Sequence, residues 1–194
     1  LNFWQPCTYF LFYASPDGLS FSFLIRLAIS TVVIWFIGNT LCSRLEEKSV
    51  LKLYLGSGLF AGLFTLGILY LTQNSAEMSG ASPSLFALLI AWAMLDSEAE
   101  ILFFFMLPVK LKWLATGTII IDLFMQLSNG NLPYFGLHLT AVVFAYLYTL
   151  FFWGFQSPFA FTWAFDEKVN ELGKNYQNTK MKQKKADQVL YNEA

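Results

Sequence analysis

The chain is poor in the residues from which soluble surfaces and metal centres are built. Only 13% of its 194 residues are charged, and it holds one histidine and two cysteines. With 56% hydrophobic and 19% aromatic residues there is too little polar surface to cover a soluble globule, so the composition is that of a membrane protein. No Cys/His cluster has metal-ligand spacing, and a single histidine could not easily complete one; neither a metal nor a cofactor is implied. Cys7 precedes the first apolar run and Cys42 ends it, most of a bilayer apart, which excludes a disulfide between them. The net charge of −1 gives no reason to expect a nucleic-acid partner.

Lysine and arginine are absent from residues 1–19, 73–81 and 128–135. Between and beyond these gaps lie apolar runs at roughly 19–42, 50–72, 83–95, 99–127 and 134–155, and a helix crossing a ~30 Å hydrocarbon core needs about 20 residues. Five crossings are expected. Eleven of the twelve basic residues then fall on one side: Arg44, Lys48, Lys52, Lys110, Lys112, and Lys168, Lys174, Lys180, Lys182, Lys184 and Lys185 in the tail. The positive-inside rule makes that side, and the C-terminus, cytoplasmic. The expected setting is a multi-pass protein of a bilayer, placed in a bacterial inner membrane, with residues 1–18 outside. Residues 1–155 form the transmembrane domain. Residues 156–194 comprise an interfacial aromatic strip and, from Asp166, a polar tail expected to be unstructured or marginally helical. The chain opens on Leu1 rather than Met, so a further helix is expected ahead of it.

What is present centres on Met78-Ser79-Gly80-Ala81-Ser82-Pro83, where a polar loop turns into an apolar helix. A serine followed by proline reads first as an N-cap with proline at the first helical position. From Ser82 to Leu95, before Asp96, this third crossing has only 14 residues, or ~20 Å, short of the bilayer core. The helix should therefore start below the outer surface, with the loop 73–81 dipping into a protein-lined cavity and Ser82 at its floor. In the second crossing Gly56-Ser57-Gly58 and Gly62 form a small face suited to close helix packing.

His138 is the sole histidine, by default a hydrogen-bonded packing residue. Its depth points further. Counted from Trp153 it lies 15 residues up, ~22 Å, while Ser82 lies 14 residues above Asp96, ~21 Å. A shared level is what a serine nucleophile and its general base require. Arg26 is the one basic residue inside a span, one turn from Ser30 and ~22 Å above Leu41. An intramembrane arginine either faces the functional interior or snorkels to the interface. Asp122 reads equally as its counter-ion or as a polar residue near a helix end.

At these residues the sequence resembles the rhomboid family of intramembrane serine proteases. The family's Gly-x-Ser-Gly motif is present as Gly80-Ala81-Ser82-Pro83, with the aromatic Phe86 four residues after the serine, where the family packs a ring near its histidine. His138 is followed by Ala141 and Ala145, matching the small residues that let the histidine helix approach the serine helix. The resemblance runs from Trp4-Gln5 to about Gly154 and includes Gly38, Leu53-Tyr54-Leu55-Gly56-Ser57-Gly58 and Pro108-Val109-Lys110-Leu111-Lys112-Trp113. It implies an all-α, polytopic rhomboid-like bundle, with the family's leading helix lying before Leu1. It further implies Ser82 as nucleophile, His138 as base, and transmembrane proteins as substrates.

Three positions depart from the family pattern. Its oxyanion-hole His-x-x-x-Asn pair corresponds to Arg26 and Ser30, proline replaces the glycine after the serine, and Cys42 stands where an acidic residue is usual. Arg26 or Ser30 would then assist the Ser82 backbone N–H in holding the oxyanion. The alternative is a catalytically silent, derlin-like binder of membrane proteins, which the run Leu41-Cys42-Ser43-Arg44-Leu45-Glu46-Glu47 loosely resembles. The protease is favoured because a silent protein has no reason to keep Ser82 and His138 at one depth. A transporter fits least, since no pair of interrupted helices repeats. The sequence leaves the oligomeric state and the substrate's identity open.

Overall fold

A computed structural model describes Tyr9 and residues 20–72, 80–103 and 107–193; the side chains of residues 22, 26, 72, 102, 103, 107 and 184–193 fall outside that description. The segment 73–79, expected to dip into the bilayer, and the Trp4-Gln5 and Cys7 positions also lie outside the described residues. The chain divides into two compact units, Leu1–Tyr146 and Leu147–Ala194.

The first unit is built from helices α1 (Phe21–Cys42), α2 (Glu47–Thr72), α3 (Ser82–Leu95) and α4 (Leu111–Ser128), with a hairpin of β1 (Glu100–Phe103) and β2 (Leu107–Lys110) between α3 and α4. It also holds most of α5 (Leu132–Tyr148). α1 starts at Ser20, an extended N-cap whose hydroxyl accepts from Phe23 N–H at 3.3 Å. α2 buries one stripe, Leu53, Ser57, Gly58, Ala61, Gly62, Thr65 and Leu69, at the three- and four-residue spacing of a helix face. α3 is apolar all round and has eleven buried residues, which makes it the element the others surround. It packs on α2 through the Ser84 hydroxyl, which donates to the Tyr54 carbonyl at 2.9 Å, and on α1 through an edge-on Phe36–Trp92 contact at 5.5 Å.

Among the described residues three helices are long and apolar enough to cross a membrane, over Phe23–Cys42, Glu47–Leu71 and Leu132–Trp153; Ser82–Leu95 is apolar but shorter. α4, which carries Lys112, Asp122 and Gln126, is not among them. This is an all-α membrane fold apart from the hairpin.

That hairpin takes up the first part of the apolar run 99–127, ahead of α4. Pro108 cannot continue a helix, and the β-prone Ile-Leu-Phe run pairs antiparallel instead, with Ile101 opposite Val109 and Leu102 opposite Pro108. At the same end of the unit, Glu98 accepts from Lys110 at 2.6 Å and from Lys112, and Arg44 pairs with Asp96 at 2.6 Å.

In the second unit a π-helical turn, Thr149–Trp153, ends at Gly154 in the left-handed region (φ 68°). The polar tail, expected to be unstructured or marginally helical, forms α6 (Trp163–Glu193). Its buried stripe is polar. Asp166 accepts from Ser157 N–H at 2.9 Å, Asn170 Nδ2 donates to the Phe155 carbonyl at 3.2 Å, and Gln177 Nε2 to the Phe152 carbonyl at 3.1 Å. Backbone groups left unpaired where the chain leaves the π turn thus dock a helix that a hydropathy pattern does not reveal.

Candidate active site

Ser82 is the first residue of α3, with Pro83 in the first turn, and the cap position belongs to Ala81, which makes no side-chain cap bond. The expected assignment of Ser82 as N-cap is therefore off by one residue. Its hydroxyl, not engaged in capping, lies 3.0 Å from His138 Nε2. Ahead of it Gly80 is buried and adopts φ 99°, a conformation that side-chain-bearing residues rarely take, and its N–H donates to the Tyr9 carbonyl at 3.3 Å. The first intrahelical bond of α3 runs from Leu85 N–H to the Ala81 carbonyl. The Ser82 and Ser84 N–H groups precede it, in the turn where helical donors have no intrahelical partner, and Pro83 has none to offer.

His138 sits near the start of α5 with its side chain 4% exposed. Phe86, one turn along α3 from Ser82, meets its ring edge-on with centroids 5.1 Å apart, and Tyr134 does so at 6.4 Å. These rings shield the imidazole and leave its two nitrogens to polar partners. Nε2 faces Ser82, and Nδ1 lies 2.5 Å from Asp122 Oδ2 on α4. An ionised carboxylate only accepts hydrogen bonds, so this pairing puts the ring proton on Nδ1 and leaves the Nε2 lone pair toward the serine hydroxyl.

Of the small residues expected to pack helices, Ser57, Gly58 and Gly62 on α2 and Ala141 and Ala145 on α5 are buried, and Gly56 is half-buried. Ala141 clusters with Tyr9, Leu137 and Ala61, so the close approach it permits includes α2. Gly136 serves the same contact, since a Cβ there would meet Ile68 Cδ1 at 2.7 Å. Ser30 is half-buried on α1, and among the described residues no hydrogen bond joins it to Ser82 or His138. The Arg26 side chain lies outside the described residues.

Asp122 is the site residue whose place the sequence reading left open. A signal was available in the helical hairpin. Asn129 to Asn131 form a short turn between α4 and α5, with Asp122 seven residues before it and His138 seven after it. Equal distances from a tight antiparallel turn put two side chains on one level.

The fold and this polar cluster held among apolar helices define a polytopic helical membrane protein. The family model described as Rhomboid domain matches residues 2–155, and the chain belongs to the rhomboid family. No curated protein and no solved structure matches it.

Proposed function

We propose that the protein is an intramembrane serine endopeptidase that cuts transmembrane segments of other membrane proteins. The observation that carries this reading is the 3.0 Å contact between Ser82 Oγ and His138 Nε2 at the start of a short buried helix. In the proposed reaction Oγ bonds to the substrate carbonyl carbon while its proton passes to Nε2. The same proton goes to the leaving amine as the C–N bond breaks. Water then attacks the acyl-enzyme with His138 again as base, and Ser82 recovers its proton. The developing oxyanion is held by the Ser82 N–H with help from Arg26 or Ser30.

The distribution of basic residues supports five crossings with the C-terminus cytoplasmic. On that topology the start of α3 opens to the outer side, and cleavage falls near the outer ends of substrate helices.

A serine-directed fluorophosphonate probe tests the proposal on the purified protein. Covalent labelling that disappears in Ser82→Ala and His138→Ala is the expected result. Folded protein that is never labelled, and leaves a transmembrane reporter intact, would favour the silent binder.

A further inference from the structure

We propose that Asp122 is a positioning residue for His138, so that the site operates as a Ser82–His138–Asp122 chain of hydrogen bonds rather than as a pair; the inference rests on the protease reading above. Asp122 stands on a helix whose neighbouring residues are lipid-type and exposed: Ile120 at 59%, Ile121 at 62%, Phe124 at 69% and Met125 at 57%. A carboxylate in such a stretch is costly unless something holds it, and intramembrane acidic residues face a partner or a cavity. Its partner here is the Nδ1 of the chain's single histidine, 2.5 Å away.

The contact has a chemical consequence for the reaction. A neutral imidazole has two tautomers, and only the one protonated on Nδ1 offers a lone pair to Ser82. The Asp122 carboxylate accepts from Nδ1–H and so selects that tautomer and fixes the ring's rotation. When Nε2 takes the serine proton the ring becomes an imidazolium in surroundings of low dielectric, where a carboxylate on its far side stabilises it. The proton balance is unchanged by this role. The serine proton moves to Nε2, Nδ1 keeps its own, and Asp122 never takes one.

Because His138 is the only histidine, nitrogen-15 labelling of histidine in the full chain gives one imidazole spectrum to read. The wild type at neutral pH should show a protonated Nδ1 and a bare Nε2. In Asp122→Asn, whose amide can donate to Nδ1, the proton should move to Nε2. Turnover of a transmembrane reporter should fall ~10²- to 10⁴-fold, with KM little changed and fluorophosphonate labelling slowed in parallel. Ser82→Ala should abolish turnover yet keep the Nδ1–H signature.

A wild-type spectrum with the proton on Nε2 would overturn the assignment without any variant. So would an Asp122→Asn protein that keeps both the signature and the turnover. Lowered thermal stability and turnover with an unchanged tautomer would also overturn it, by leaving Asp122 as a mere pin between α4 and α5. An Asp122-dependent signature in a wild type that no fluorophosphonate labels would instead sink the protease reading and support the positioning contact, so the two failures are distinct.

Discussion

The hydroxyl of Tyr9 donates to the Gly58 carbonyl at 2.9 Å, while the Tyr9 carbonyl receives the Gly80 N–H at 3.3 Å. One amino-terminal residue therefore ties the small-residue face of α2 to the turn that sets Ser82. Burial pushes the Tyr9 phenol well above its ordinary range, so it stays a neutral donor. Tyr9→Phe keeps the ring among Ala61, Leu137 and Ala141 but removes the bond to an already helix-bonded carbonyl. We expect a loss of about 0.5–1.5 kcal/mol, read as a fall of a few degrees in thermal unfolding in detergent.

Gly80→Ala should act on the site more than on the fold. At φ 99° a Cβ brings strain of about 1–3 kcal/mol, relieved only by moving the two residues that lead into Ser82. Turnover of a reporter should fall at least tenfold. Gly154→Ala is the control, since φ 68° strains it too while nothing lies within 4 Å of the added Cβ. It should lower stability with little change in turnover, and equal loss in both variants would show that strain alone, not the serine turn, was being read.

The helices that bury apolar surface and end at breakers were legible. The expected apolar run at roughly 19–42 is found as the helix Phe21–Cys42, and Ser82–Leu95 matches at both ends. Counting rise per residue put Ser82 and His138 at one level, and their side chains lie 3.0 Å apart. Three features escaped. The β1–β2 hairpin is apolar between Glu100 and Lys110, and an apolar run carries no period to separate strand from helix. α6 buries Asp166, Asn170 and Gly173, a stripe that reads as solvent-facing until open backbone groups are there to bond it. Asp122 required the register of the α4–α5 turn, which outweighs the coarser inference that an intramembrane acid pairs with the one intramembrane base.

On the function proposed above, Arg26 takes the place of the family's oxyanion-hole histidine, and its test is kinetic. If it supplies a charge-assisted donor to the tetrahedral intermediate, Arg26→Leu should lower turnover ~10²- to 10³-fold in folded protein. Arg26→Lys should recover part of that, since an ammonium lacks the planar fork of a guanidinium. Unchanged turnover in Arg26→Leu would mean a snorkelling side chain and pass the role to Ser30.

Glu98 gives the protein a defined acid sensitivity. Hydrogen bonds from Lys110 and Lys112 hold its carboxyl at about 2, against an ordinary value of 4.5. A carboxylate depressed on folding contributes fully above its unfolded value, and that contribution is lost as pH falls through the folded one. The difference in unfolding temperature between wild type and Glu98→Gln should therefore be flat above pH ~5 and shrink between about 4.5 and 2. Because the pairs are exposed, the difference should be small and should weaken in high salt. A difference that is constant down to pH ~2 would show that the two lysines do not hold the carboxylate in solution.

In the second unit Gly173 lies against backbone, where an added Cβ would run into the Phe151 carbonyl oxygen and come within 3.1 Å of its carbon. Backbone cannot swing aside as a flexible side chain can, so Gly173→Ala must lift α6 from the π turn even though alanine is the better helix former. The prediction thus runs against propensity. The same move would strain the bonds from Asn170 to the Phe155 carbonyl and from Gln177 to the Phe152 carbonyl, on either side of the clash. Limited trypsin digestion should then cut at Lys174 and Lys180 faster in Gly173→Ala than in wild type, with a matching loss of amide protection along the first half of α6. Added protection instead, as propensity alone would give, would show that α6 does not dock on Phe151 in the membrane.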